Sequence, residues 1–196
     1  FEYNNPDTLG GYTFIDKIMV SLFQSVTLRT AGFASFSQGD MEGATVLVSI
    51  VLMLIGGSPV GTAGGVKTVT VAVLFLAVAS VIKGRNEAVV YNRSINQDLI
   101  RKSLAVVLIS LIAFVVLSIL LMITNDFTME DSLFEVASAI ATVGLSRGIT
   151  ADLNTAGQLI IIIGMYLGRI GPISMFIAFS NKYSIKNSLH YAEADL

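Results

Sequence analysis

The sequence predicts an all-α membrane protein assembled from repeats of membrane helix, re-entrant loop and membrane helix. Three observations carry that prediction. Of the 196 residues, 54% are hydrophobic and only 13% are charged, about half the charge of a soluble domain, and mean hydropathy is +0.75. The run LAVVLISLIAFVVLSILLMI (104–123) has 20 residues without a charge, matching the ~20 that a bilayer crossing needs. Finally, two short amphipathic segments each end in threonine–x–glycine, at Thr30-Ala31-Gly32 and Thr142-Val143-Gly144, and a long apolar run follows each.

Composition also excludes. The chain has no cysteine and one histidine, His190, so disulfides, cysteine metal sites and histidine-based triads are not expected. A net charge of −2 carries no nucleic-acid signal, and nothing in the residues suggests an enzyme. The chain opens FEYNNPDTLGG, without an initiating Met or a signal-peptide pattern, and reads as a piece of a longer protein.

The elements follow in order. YTFIDKIMVSLFQSV (12–26) and MEDSLFEVASAIA (129–141) are amphipathic and too short or too polar to span. They read as half-helices that dip into the membrane and turn back. Asp7-Thr8 and Thr128 are the expected helix starts, the latter with Glu130 and Asp131 in the first turn, where the helix dipole favours acids. The run 155–180 is long enough to cross but contains Arg169 and Pro172.

The remaining crossing is interrupted. ATVLVSIVLMLI (44–55) and VKTVTVAVLFLAVASVI (66–82) flank GGSPVGTAGG (56–65), which has five glycines and a proline. Uninterrupted, the whole would form a helix on the order of 60 Å long, twice the hydrocarbon thickness. Glycine and proline oppose helix there, and unwound backbone is untenable against lipid. The loop must therefore face protein or water, and 44–82 reads as one broken helix crossing once. GTAGGVKT also brings a phosphate loop to mind, but Val66 separates Gly65 from Lys67 where that motif requires Gly-Lys.

The two halves align on Gly32 and Gly144. Gly32 to Gly56 is 24 residues and Gly144 to Gly168 is again 24, a coincidence the alignment did not impose. Each threonine–x–glycine also fits an ordinary helix C-terminal glycine, and the equal downstream spacing favours the other reading, a filter. Glycine takes conformations that other residues avoid, and successive backbone carbonyls can then replace an ion's hydration shell; TVG (142–144) is the triplet that opens the TVGYG filter of potassium channels. The fold is thus potassium-channel-like. Charge orients it. The linker KGRNEAVVYNRSINQDLIRK (83–102) carries Lys83, Arg85, Arg93, Arg101 and Lys102 against Glu87 and Asp98, and the tail adds Lys182 and Lys186, so both are expected to be cytoplasmic. The acidic loops around Asp40, Glu42 and Asp126 fall outside.

TLRTAGF (27–33), GGSPVGTAGGVKT (56–68), ATVGLS (141–146) and LGRIGPIS (167–174) together resemble the second half of the Trk/Ktr/HKT potassium transporters, in particular their KtrB membrane subunits, and the resemblance covers essentially the whole chain. It implies four pore repeats around one pore, of which this chain carries the third, minus its first helix, and the fourth. The expected organisation is 1–83 for the third repeat (pore helix and filter 12–36, broken helix 44–82), 84–103 for a cytoplasmic linker, 104–180 for the fourth repeat and 181–196 for a cytoplasmic tail. The resemblance assigns potassium coordination to the filter carbonyls of Thr30, Ala31, Gly32, Thr142, Val143 and Gly144. It assigns an intramembrane gate to Gly56, Gly57, Ser58, Pro59, Gly61, Thr62, Gly64 and Gly65, facing a pore arginine, Arg169. It further implies homodimerisation, a KtrA-like nucleotide-binding cytosolic ring as partner, potassium as permeant ion with sodium as a second candidate, no covalent cofactor, and a plasma-membrane location. Half the filter ring lies outside this chain, so alone it should not conduct selectively.

Intramembrane arginines usually face a cavity and a partner, which favours a pore role for Arg169 over snorkelling. Lys67 lies nearer the cytoplasmic end and fits either role. Arg29, just ahead of the first filter segment, either tethers the pore loop or sits in the outer vestibule. Two other functions compete with a potassium pore. One is a secondary transporter binding substrate at the broken helix, which inverted repeats would favour; here both repeats run the same way. The other is a non-transporting assembly subunit, which leaves the paired filter segments unexplained.

Overall fold

The structure is a computed structural model that describes residues 1–58, 64–84, 89–90 and 93–171. Among these are six α-helices, α1 (Phe14–Thr27), α2 (Gly43–Leu54), α3 (Thr68–Ile82), α4 (Gln97–Thr124), α5 (Met129–Ala141) and α6 (Thr155–Ile170). Between α3 and α4 lies a small antiparallel ribbon, β1 (Val89–Val90) and β2 (Arg93–Ser94), with Val89 opposite Ser94. The ribbon is the one departure from an all-α chain among the described residues. Of the expected features, Pro59, Gly61, Thr62, Arg85, the run beyond Gly171 and the tail lie outside the described residues.

Helix starts follow side-chain capping. Asn96 opens α4 by accepting from the Asp98 N–H at 2.9 Å. Thr128 opens α5 by accepting from Asp131 N–H at 3.2 Å while its hydroxyl donates to the Asp131 carboxylate at 2.6 Å. α1 begins later than Asp7-Thr8. Thr13 makes the same reciprocal pair with Asp16, whereas the Thr8 hydroxyl is taken by the buried Glu2 carboxylate at 2.7 Å. Within the stretch read as linker, Gln97–Ser103 form the first turns of α4.

α4 has 28 residues, on the order of 42 Å at 1.5 Å per residue, and is the one described helix long and apolar enough to cross a membrane by itself. Its buried side mixes serines with Phe114, Leu117 and Leu121. Ser103, Ser110 and Ser118 face the protein, while Leu108, Ile112 and Ile119 are exposed. Small polar residues let helices approach inside lipid, and apolar ones meet the acyl chains. α2 and α3, with 12 and 15 residues, are each shorter than the ~30 Å hydrocarbon layer. Together they are long enough to cross it. The chain joins them with a parallel bridge between Ile55 and Val66. The chain therefore runs the same way at Ile55 and at Val66, on the two sides of the break.

α5 is the hub. It packs against α2, α4 and α6, and Ser132 and Phe134–Ala141 are all buried. α6 lies close along it because Gly164 and Gly168 have no side chains; a Cβ at Gly168 would fall 1.8 Å from the Ile140 carbonyl oxygen. α1 differs. Only Gln24 and Thr27 are buried, and beside α2 it borders a cavity of about 540 Å³ lined mostly by apolar side chains such as Leu22, Leu28 and Leu52.

Elements recur along the chain. A half-helix, a one-turn 3-10 helix and an apolar helix follow one another as α1, Gln38–Asp40 and α2, and again as α5, Ile149–Asp152 and α6. α2 starts at Gly43 and α6 at Thr155, the same offset as between Thr30 and Thr142.

Candidate functional site

The C-terminal ends of α1 and α5 have matching backbones. Thr30 has φ +69° and Gly32 φ +79°; Thr142 has φ +55° and Gly144 φ +88°. Thr30 and Thr142 are the only non-glycine residues with positive φ among the described residues. A β-branched residue there is a true outlier, at a cost of about 1–2 kcal/mol each. Strain of this kind persists only where the surrounding structure holds it, and it clusters at functional sites. A left-handed, ordinary, left-handed sequence also turns successive peptide planes the same way, as a row of carbonyl ligands requires.

The N–H groups of these segments point back at the half-helices. Ala31 and Gly32 donate to the Thr27 carbonyl at 3.1 and 3.3 Å, Thr142 to Ala139 at 3.1 Å, and Val143 to Ser138 at 2.9 Å. Gly144 N–H donates to the Ser138 hydroxyl at 3.1 Å. The Thr27 hydroxyl closes the first segment, donating to the Phe33 carbonyl and accepting from the Phe33 N–H. Among the described residues no donor reaches the carbonyls of Thr30, Ala31, Gly32, Thr142, Val143 or Gly144, which makes these groups candidates for coordination. The two segments also touch. A Cβ on Gly32 would lie 2.1 Å from the Val143 carbonyl oxygen.

The glycine loop meets the same place. Its neck is closed by three backbone bonds, Gly56 N–H to Val66 (2.8 Å), Val66 N–H to Leu54 (3.1 Å) and Thr68 N–H to Gly57 (3.3 Å). Gly56 and Gly64 lie so close that a Cβ on Gly56 would sit 2.2 Å from the Gly64 carbonyl oxygen. Gly64 N–H donates to the Thr142 hydroxyl at 2.9 Å, and Gly65 takes φ +69° against Ala141. Arg29 donates from one guanidinium nitrogen to the carbonyls of Leu52 and Ile55 at the end of α2. Arg169 is exposed in the last turn of α6, where the helix dipole favours a cation, and Gly171 ends that helix at φ +80°. Ser58 is exposed at the edge of the described loop.

Three residues outside the sequence-based site support it. Ser138 carries the Gly144 N–H, and the buried Glu135 accepts from the Thr150 hydroxyl, whose oxygen lies 2.8 Å from the Ser146 hydroxyl and can accept from it. Glu135 and Ser138, polar residues three apart in an apolar half-helix, were the available signal. Arg147 ties the start of α5 to the loop around Gln38. It donates to Asp131 at 2.6 Å and to the Gln38 carbonyl at 3.1 Å, and pairs with Glu130 at 3.7 Å. Burial alone would raise the Asp131 pKa, but the hydrogen bonds from Thr128 and Arg147 and the Arg147 charge outweigh it and hold the carboxyl below its ordinary value. A depressed pKa stabilises the fold above the unfolded carboxylate value of about 3.9, and that stability is lost as pH falls through the folded value. Detergent-solubilised protein should therefore melt at a lower temperature below about pH 4, and Arg147→Met should remove most of that acid dependence while costing about 2 kcal/mol at neutral pH.

Two strained half-helix ends in contact, set among a spanning helix and a broken one, define a membrane protein of the pore-loop class. The chain belongs to the TrkH family of cation transport proteins, which residues 7–191 match. It is 38% identical over 195 residues to the Ktr system potassium uptake protein B of Bacillus subtilis, covering 100% of this chain and 43% of that protein. It is also 38% identical over 175 residues to the potassium/sodium uptake protein NtpJ of Enterococcus hirae, covering 87% of this chain and 39% of that one. The crystal structure of the potassium transporter TrkH from Vibrio parahaemolyticus superimposes with a TM-score of 0.73 at 21% identity, over 89% of this chain and 40% of that chain, which establishes the shared fold. The chain thus spans less than half the length of these relatives.

Proposed function

We propose that this chain supplies the third and fourth pore repeats of a potassium-uptake subunit of the cell membrane. Thr30–Gly32 and Thr142–Gly144 form half of its carbonyl filter, and the loop Gly56–Gly65 with Arg169 forms its gate. The observation that carries this is the matched pair of left-handed threonine and glycine residues, whose carbonyls take no donor among the described residues. The names of the relatives supply the ion, potassium, with sodium as a second. The uncovered flank of α1, where α4 covers α5 in the other unit, supports a further helix of the same subunit seated there. The full-length protein in liposomes should carry potassium and rubidium faster than sodium by about tenfold or more; equal rates for all three would end the filter reading.

The break between α2 and α3 also favours a second reading, a rocking transporter that binds its substrate there. Shortening the loop separates them, because a gate becomes leaky whereas a binding site loses transport.

The linker and tail are taken as cytoplasmic, and the subunit as a homodimer docked on a nucleotide-binding ring. Neutralising Arg85, Arg93 and Lys102 together should weaken capture of that ring in a pull-down by about tenfold, as rim charges on an interface do. Full retention would leave these charges a role in topology alone.

A further inference from the structure

Beyond their contact at Gly32 and Val143, the two half-helix ends meet again through the loops that follow them. Shortly past Gly32, the Gln38 carbonyl accepts from the guanidinium of Arg147, which lies shortly past Gly144, at 3.1 Å. Gly39 packs on the Arg147 backbone, where an added Cβ would lie 3.1 Å from the Arg147 carbonyl oxygen. Each loop is in turn held to its own half-helix. Arg147 donates through Nε to the Asp131 carboxylate in the first turn of α5 at 2.6 Å. Gln38 is buried, donates from its amide to the Phe36 carbonyl at 2.8 Å, and accepts from the Gln24 amide of α1. One run of polar groups thus leads from α1 through Gln24, Gln38, Arg147 and Asp131 to α5.

A guanidinium suits this position. The Arg147 side chain is 9% exposed, against 56% for Glu130, with which it also pairs at 3.7 Å. Its planar fork can hold a carboxylate and a carbonyl at once, and a nearly buried charge that lost those acceptors would be costly. The near ends of the two segments are held by their half-helices, through Thr27 and Ser138. The Arg147 contacts restrain the far ends. Thr30 and Thr142, at φ +69° and +55°, keep such angles only where the surroundings over-determine them.

We propose that Arg147 is a positioning residue for ion selection. By pinning the two loops together it fixes the spacing of the Thr30–Gly32 and Thr142–Gly144 carbonyls across the Gly32–Val143 contact. The proposal rests on the filter reading above and names what holds these two segments in register. A ring of carbonyls discriminates by the number and position of its ligands, so a change of spacing alters the ratio between ions. The competing role for the same charge is purely electrostatic. A fixed cation near the path repels potassium and sodium alike, which changes both rates and leaves their ratio.

The test is rubidium and sodium uptake by the full-length protein in liposomes, both measured on the same vesicles so that a lower yield of folded protein cancels in the ratio. Arg147→Met should lower the rubidium-to-sodium ratio by about threefold, part of the roughly tenfold that one charge-assisted hydrogen bond is worth. Arg147→Lys keeps the charge but has no fork, and its ratio should fall between Arg147→Met and wild type. Glu130→Gln, which removes an exposed charge from the same cluster, should keep the wild-type ratio, as exposed ion pairs contribute little. Equal changes in both rates at a constant ratio in Arg147→Met would make the role electrostatic and overturn the proposal. So would a wild-type ratio in Arg147→Lys beside a lowered one in Arg147→Met, since the charge would then suffice without the fork. Gly32→Ser separates the pin from the filter. A lowered ratio in Gly32→Ser beside an unchanged one in Arg147→Met removes the pin alone, whereas an unchanged ratio in Gly32→Ser removes the filter reading and the pin with it. If Arg147→Met does not reach the membrane, Asp131→Asn decides, because it weakens the same anchor, and a wild-type ratio in it counts against the pin.

Discussion

Gly32→Ser in the full-length protein is expected to lower potassium-over-sodium discrimination by about tenfold or more, and Gly144→Ser by less. Both residues hold φ values that strain any side chain, +79° and +88°, at about 1–2 kcal/mol. Their surroundings differ. A Cβ at Gly144 meets nothing within 4 Å, whereas at Gly32 it would lie 2.1 Å from the Val143 carbonyl oxygen. That neighbour is backbone and belongs to the other half-helix end, so it cannot rotate away as a side chain would. The clash must displace the Val143 carbonyl or the Gly32 segment, and both are proposed ligands of the ion. Discrimination by a ring of carbonyls depends on their positions and number, so one substitution disturbs two of its members. The ratio of rubidium to sodium uptake reads this directly. An unchanged ratio and unchanged apparent affinity for potassium in both variants would remove the filter assignment.

Removing residues 58–63 should raise potassium flux by about tenfold and make it less dependent on the cytosolic partner. The deletion is geometrically mild. Gly56 and Gly64 already meet at the neck, and the Gly56–Val66, Val66–Leu54 and Thr68–Gly57 bonds lie outside the excised residues. α2 and α3 should therefore keep their relation while the part of the loop proposed to cross the pore is lost. Arg169→Ala should move flux in the same direction. It removes a positive charge from the last turn of α6, and a fixed cation near the path raises the barrier to a passing cation. A shortened protein that inserts and folds normally but carries potassium at the wild-type rate would exclude the loop as gate.

Much of the architecture was legible because its rules are local. The uncharged run 104–123 lies within α4, Thr128 with Asp131 marks the start of α5, and the clustered glycines fall where α2 stops. The errors were local too. Asp7-Thr8 looked like a cap because it precedes an apolar stretch, but Glu2 claims the Thr8 hydroxyl and Thr13 takes the helix. The ribbon at Val89–Ser94 was passed over because two-residue strands leave no periodicity to read.

The sequence by itself determined which residues have the chemistry. Glycines at 32 and 144 permit left-handed backbone, five glycines and a proline forbid a continuous helix at 56–65, and a recurring spacing places these features at matching positions along the two repeats. What only the tertiary structure decided is which of them meet. Gly32 abuts Val143, Gly64 donates to Thr142 across 78 residues of chain, and Arg29 reaches the end of α2 across 26. Arg29 was left between two roles because its sequence neighbours specify neither. Conformational preference is a property of a few adjacent residues, whereas a hydrogen bond between distant segments depends on how whole helices pack. Here that packing is set by the glycines of α6 and the small buried residues of α5, which bring the half-helix ends and the loop to one place.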